Sequence, residues 1–135
     1  MPVVSWDSFS GAEVAALTLN NGVPFCFPPR VGSVVSFFAD PGERDCPACG
    51  RRRLRAYVNS PAGARRPTLV SYVWCSACRK FVGTRARHPE GLVFSDPLAA
   101  LSAEDRRELE RSLVGFLAHL DRLWDAGVLP QTFTA

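Results

Sequence analysis

Lysine is nearly missing from this chain: Lys80 is the only one, beside 15 arginines. A GC-rich genome produces that bias as readily as a demand for guanidinium chemistry, so the bias alone assigns nothing. Histidine is almost as scarce, with only His88 and His119, too few for a histidine-rich metal site with an open catalytic position. There is no glycine-rich phosphate loop and no Ser/His/Asp set in a recognisable context. The one dense acidic group, Glu104, Asp105, Glu108 and Glu110, fits a solvated, dipole-matched helix start better than a catalytic cluster. Enzyme is therefore the class with least support, and a non-catalytic protein is expected. No apolar run approaches the roughly 18 residues of a membrane span. The start, Met1 to Asp7, has neither a basic region nor an apolar stretch, so no signal peptide is expected and a cytoplasmic location follows.

Cysteine is what the chain does have. Cys46-Pro47-Ala48-Cys49 and Cys75-Ser76-Ala77-Cys78 each show C-x2-C spacing, with 25 residues between them. Two intervening residues let both sulfurs of a pair turn toward one point while backbone amides face them. Two such turns supply four thiolates, a closed tetrahedral set suited to one structural Zn²⁺ that leaves no position for water. The separation exceeds the usual spacing of about 15–20 residues, and a β-hairpin with a long tip fills it. Residues 53–58 and 68–74 are β-rich, and Asn59 to Pro67 is loop chemistry. The arrangement resembles a zinc ribbon: the first turn carries the full Cys-Pro-Ala-Cys-Gly pattern, whereas Arg79 stands where glycine is common in the second. Disulfides are the rival reading, disfavoured because nothing marks the chain as secreted. A thioredoxin-like redox site would need one such pair at a strand-to-helix turn. The fifth cysteine, Cys26, has no base placed near it and reads as an ordinary buried thiol.

Charge is unevenly spread. Residues 44–88 hold eleven cations against Asp45 alone, +10 in a molecule of net charge +3, so the remainder sums to −7. Zinc with four thiolates adds −2, and the ribbon still stands near +8. Arg51, Arg52, Arg53, Arg55, Arg65, Arg66, Arg79, Lys80, Arg85 and Arg87 are the candidate partner contacts.

At 135 residues one domain is expected: residues 1–43 as helix and strand, 44–88 as ribbon, 89–135 as helix and tail. Ser10 with Glu13 forms a capping box for a short N-terminal helix, Phe9 can staple onto Val14, and Asn20-Asn21-Gly22 ends it. Residues 31–38 read as a buried strand, and 80–87 as a third ribbon strand. Ser102 caps a long C-terminal helix over 102–126, in which Leu109, Leu113, Phe116, Leu117, Leu120 and Trp124 share a face. Arg106, Arg107, Glu110, Arg111 and Asp121 fall off that stripe, and Gly127 closes the helix with Val128 set against Leu123. The fold class is α+β: an antiparallel zinc-ribbon sheet with a short N-terminal and a long C-terminal helix. The apolar face packs on the domain in the simpler reading. In the sharper one, part of it or the tail Leu129 to Phe133 docks a partner.

Binding remains as the function, in two forms. One partner is nucleic acid: the basic ribbon would meet phosphates, and Tyr57, Tyr72, Trp74 and Phe81 would offer stacking faces unless they fill the core. The other is a protein. Tyr72-Val73-Trp74-Cys75-Ser76-Ala77-Cys78-Arg79-Lys80-Phe81, followed by Leu120 to Gln131, resembles small actinobacterial zinc-ribbon proteins grouped with immunity proteins of polymorphic toxin systems. The resemblance covers the second cysteine pair and the last helix, about a quarter of the chain. It implies a non-enzymatic protein that binds a cognate toxin and blocks it. It carries over no contact residue. A basic surface suits an acidic site on such a toxin, and like-signed rim charges would speed association.

Overall fold

The central strands follow from residue type and from what each face can bury. Thr68–Cys75 sends Leu69, Ser71, Val73 and Cys75 to one face and Val70, Tyr72 and Trp74 to the other, a β-branched and aromatic set that fills both. The computed structural model describes residues 6–10, 19–20, 23–24, 42–61, 65–88 and 90–134. The body of the expected N-terminal helix, the strand expected at 31–38 and Cys26 all lie outside those residues.

The described part is α+β. Strands β1 (Asp7–Ser8), β4 (Leu54–Asn59), β5 (Thr68–Cys75) and β6 (Lys80–Arg87) form one sheet in the order β1-β6-β5-β4. β4, β5 and β6 pair antiparallel, with Leu54 opposite Cys75 and Trp74 opposite Phe81. β1 joins the outer side of β6 in parallel, Asp7 beside Lys80. The sheet is therefore mixed, which corrects the purely antiparallel expectation. Two small antiparallel pairs accompany it: β2 (Leu19–Asn20) with β3 (Val23–Pro24), and β7 (Val93–Phe94) with β8 (Phe133–Thr134).

Each face of the sheet carries its own apolar cluster. Leu54, Ala56 and Val58 of β4 join Leu69, Val73 and Cys75 of β5, with Phe9 and Cys46, on one side. On the other, Tyr57 and Trp74 pack with Leu98, Phe116, Leu117, Leu120 and Leu129. The second cluster is where the helices dock.

Over residues 102–126, where one helix is expected, the structure has two, α1 (Ala103–Glu110) and α2 (Leu113–Asp125). Leu109 and Leu113 are four apart, so the apolar period runs unbroken through residues that the backbone does not keep helical. The break has a local cause. Ser112 sits extended, at φ −124 and ψ 119, and its hydroxyl accepts from the Gly115 N–H at 3.2 Å, which caps α2 afresh. α1 buries none of its residues and is held at its own start by Ser102, which accepts from Asp105 N–H. α2 ends as foreseen. Gly127 takes φ +80, its N–H donates to Trp124 C=O, and Val128 N–H donates to Leu123 C=O at 2.9 Å.

β4 is a sheet edge, yet all six of its residues are buried. The C-terminal tail covers it. Gln131 lays its side-chain amide along the strand: Oε1 accepts from Val58 N–H, and Nε2 donates to Val58 C=O, both at 2.9 Å. Nε2 also donates to Ser95 C=O at 2.7 Å. The stretch from Leu129 to Phe133 is thus built into the domain rather than hanging free of it.

Candidate metal centre

Each cysteine pair folds as a tight turn whose amides face its own sulfurs. In the first, Gly50 N–H donates to Cys46 C=O at 2.8 Å and Ala48 N–H points at Cys46 Sγ at 3.3 Å. In the second, Arg79 N–H donates to Cys75 C=O at 3.0 Å, and the Ala77 and Cys78 amides approach Cys75 Sγ at 3.4 Å. Both turns need a left-handed residue after the second cysteine. Gly50 supplies it at φ 75 and Arg79 at φ 64. The second turn therefore takes the same left-handed step as the first without a glycine.

The four sulfurs converge. Cys46 and Cys78 Sγ are 3.7 Å apart, as are Cys49 and Cys75 Sγ, and all four lie within 4.8 Å of one another. Metal–sulfur bonds of about 2.3 Å place tetrahedral sulfurs roughly 3.8 Å apart, so the cluster fits one ion with little movement. A disulfide needs about 2.05 Å, and all four thiols are free. Burial pushes the Cys75 and Cys78 thiols up, and metal binding there would release their protons. At Cys49 burial acts the same way but is outweighed by the Arg51 amide and the neighbouring thiols, which bring it down. Cys46 and Cys75 are buried and Cys49 is exposed, so the site opens toward solvent on one side. His88 stands apart: Nε2 lies 2.8 Å from Leu92 C=O and the ring stacks on Phe94.

The arginines divide. Arg51, Arg52 and Arg53 follow the first turn and are exposed, as are Arg65, Arg66, Arg85 and Arg87. Arg52 meets Asp45 at 3.7 Å across open solvent, a pair of small value. Arg66, Arg85 and Arg87 line one side of a groove of about 570 Å³ with Pro67, Thr68 and Ala86. Arg79 and Lys80 are half-buried. Arg55 is different: it is 2% exposed and anchors the interior. Its Nε, Nη1 and Nη2 donate to Glu43, Asp121 and Asp125 at 2.9, 2.9 and 3.0 Å. The same Asp121 Oδ1 accepts from Trp74 Nε1 at 2.7 Å, and Oδ2 meets Arg79 Nη1 at 3.5 Å. Arg55 also lies over the Trp124 ring, and Arg79 over Trp6.

Sequence reasoning placed Asp121 off the apolar stripe, whereas it is buried at its centre, 9% exposed. The signal was present, since Asp121 follows Leu117 by four residues and so shares its face. An acid in phase with a buried stripe asks for a buried cation. The four candidate stacking aromatics are also accounted for. Tyr57 and Trp74 are fully buried, and Tyr72 and Phe81 pack at the margin of the same cluster, Tyr72 against Phe116 at 5.1 Å.

No family model, curated protein or solved structure matches the chain.

Proposed function

We propose that this protein is a non-catalytic, cytoplasmic binding protein. One structural zinc ion, held by Cys46, Cys49, Cys75 and Cys78, fastens the two turns of a zinc ribbon together. A soft, closed, tetrahedral donor set favours Zn²⁺ and leaves it no open position for a reacting water. The purified protein should be colourless and carry one zinc per chain by elemental analysis. Iron in that place, or no metal, overturns this part.

The partner we propose is a protein: a cognate toxin that this chain binds and neutralises as an immunity protein. The observation that carries the choice is the fate of the aromatics. Binding single-stranded nucleic acid draws on exposed stacking faces, and Tyr57, Tyr72, Trp74 and Phe81 are packed under α2 or at its margin. The exposed arginines then supply the recognition chemistry, and an acidic protein surface complements them. The test is co-expression with the variable C-terminal domain of the large secreted protein expected next to this gene. Growth should be restored when both are made, and undiminished toxicity overturns the reading.

A second reading rests on the groove of Arg66, Arg85 and Arg87, whose lining contains no carboxylate. It is that of a nucleic-acid binder using phosphate contacts. Titration of zinc-loaded protein with random oligonucleotides separates the two. Micromolar affinity at about 0.15 M salt, weakening steeply as salt rises, supports nucleic acid, and absence of binding supports the protein partner.

A further inference from the structure

We propose that the cavity between the two cysteine turns and α2 is a binding site for an oxyanion of the phosphate class. It is a half-open hollow of about 540 Å³, and three parts of the fold build it: Arg51 and Arg53 beyond the first turn, Ser76 and Arg79 in the second, and Asp121 and Arg122 on α2. That volume suits a small ligand.

The charges in its wall fall into two groups. The carboxylates are already committed: Asp121 accepts from Arg55, Trp74 and Arg79, and Asp125 accepts from Arg55. Arg55 in turn is satisfied by three carboxylates. Arg51, Arg53 and Arg122, by contrast, have no carboxylate partner among the described residues, and all three face the same space. Guanidinium forks match the oxygens of phosphate in pairs, which makes a cluster of arginines from different elements a natural cradle for it. Ser76 and Ala77 of the second turn complete the wall beside Arg79.

No aromatic ring is among the lining residues, so the site offers nothing to stack a base and recognises the anion itself. Orthophosphate and the phosphoryl group of a monoester present the same chemistry. The competing role for these arginines is to balance the −2 charge of a zinc ion in four thiolates. The inference rests on that zinc centre, whose presence elemental analysis checks separately from anion binding.

The experiment is calorimetric titration of zinc-loaded protein with orthophosphate and, in a second arm, O-phosphoserine, at low ionic strength. One saturable site is expected. Tighter binding of O-phosphoserine assigns the site to an ester, and tighter binding of orthophosphate to the free ion. Arg122→Ala, an exposed change on α2, should weaken binding about tenfold or more at unchanged zinc content. Arg66→Ala, in the distant groove, should leave it unchanged. Absence of saturable heat up to about 20 mM ligand overturns the proposal and leaves the arginines as counter-charges of the thiolates. Equal weakening by Arg66→Ala and Arg122→Ala overturns it as well, because it reports diffuse screening.

Discussion

Arg79 holds a backbone conformation that glycine holds in the first turn, φ 64 against φ 75 at Gly50. An L side chain there costs roughly 1 kcal/mol. What offsets it is the guanidinium, which reaches Asp121 at 3.5 Å and covers Trp6 at 5.0 Å. Two substitutions separate the contributions. Arg79→Gly and Arg79→Ala both lose the contacts, but only alanine keeps the strain. The alanine variant should unfold at lower urea, with a difference of about 1 kcal/mol. Asp121 is the second residue on which much depends, because it closes the Arg55 fork and accepts the Trp74 indole. Asp121→Ala leaves a buried guanidinium short of one partner and an indole N–H with none. A loss of about 3 kcal/mol is expected in equilibrium unfolding, with Asp121→Asn milder because it retains an acceptor. Tyr57 makes a prediction in pH. Burial, and then the Asp96 carboxylate that accepts its proton at 2.7 Å, push its ionisation well above the usual 10.0. The unfolded chain releases that proton near pH 10 while the folded chain keeps it. Tyr57 therefore contributes stability that is fully present below that pH and falls as pH rises beyond it. Tyr57→Phe should flatten the alkaline limb of the stability profile.

At the scale of elements, the tail and the helix break were the features least visible in sequence. Gln131 behaves as a one-residue strand: its amide supplies the donor and acceptor that a neighbouring strand would have offered to Val58. Gln131→Leu keeps the volume and removes both, stranding Val58 N–H and C=O and the Ser95 carbonyl away from water. About 3 kcal/mol should be lost, and amide exchange at Val58 should quicken while β5 stays protected. The strands at 54–59, 68–75 and 80–87 were legible to within a residue or so, because β-branched and aromatic runs bounded by turn residues reflect short-range physics. One helix is expected over 102–126 where the structure has two, because apolar spacing records which residues face the sheet, not whether the backbone is continuous between them. Ser112, a good cap in mid-run, was the residue to weigh.

For the whole molecule, the cysteine turns join the start of β4 to the loop between β5 and β6, with Cys46 and Cys75 in the core on one face of the sheet. If the four cysteines hold zinc as proposed, its removal would leave four thiols in contact with nothing to bridge them. A strong zinc chelator should therefore lower the thermal midpoint markedly, and Cys75→Ser should do the same without chelator. Zinc retention should fall with pH, since binding requires thiolates and acid returns the protons. At neutral pH, loss of the metal without change in the unfolding transition would remove it from any structural role.

Sequence alone determined the two cysteine turns, the three central strands, the caps at Ser102 and Gly127, and the concentration of positive charge in residues 44–88. All of these depend on residues close in the chain, where spacing translates directly into turn geometry or periodicity. Tertiary structure decided which arginines face solvent and which face carboxylates. Arg55 meets Asp121 across 66 residues, a pairing that exists only because α2 crosses the sheet over Trp74. The same crossing buried Tyr57 and Trp74, and it set Arg122 opposite Arg51 and Arg53 around one cavity. Charge counts along a chain are blind to such pairings, because the energy of a cation is set by what packs against it.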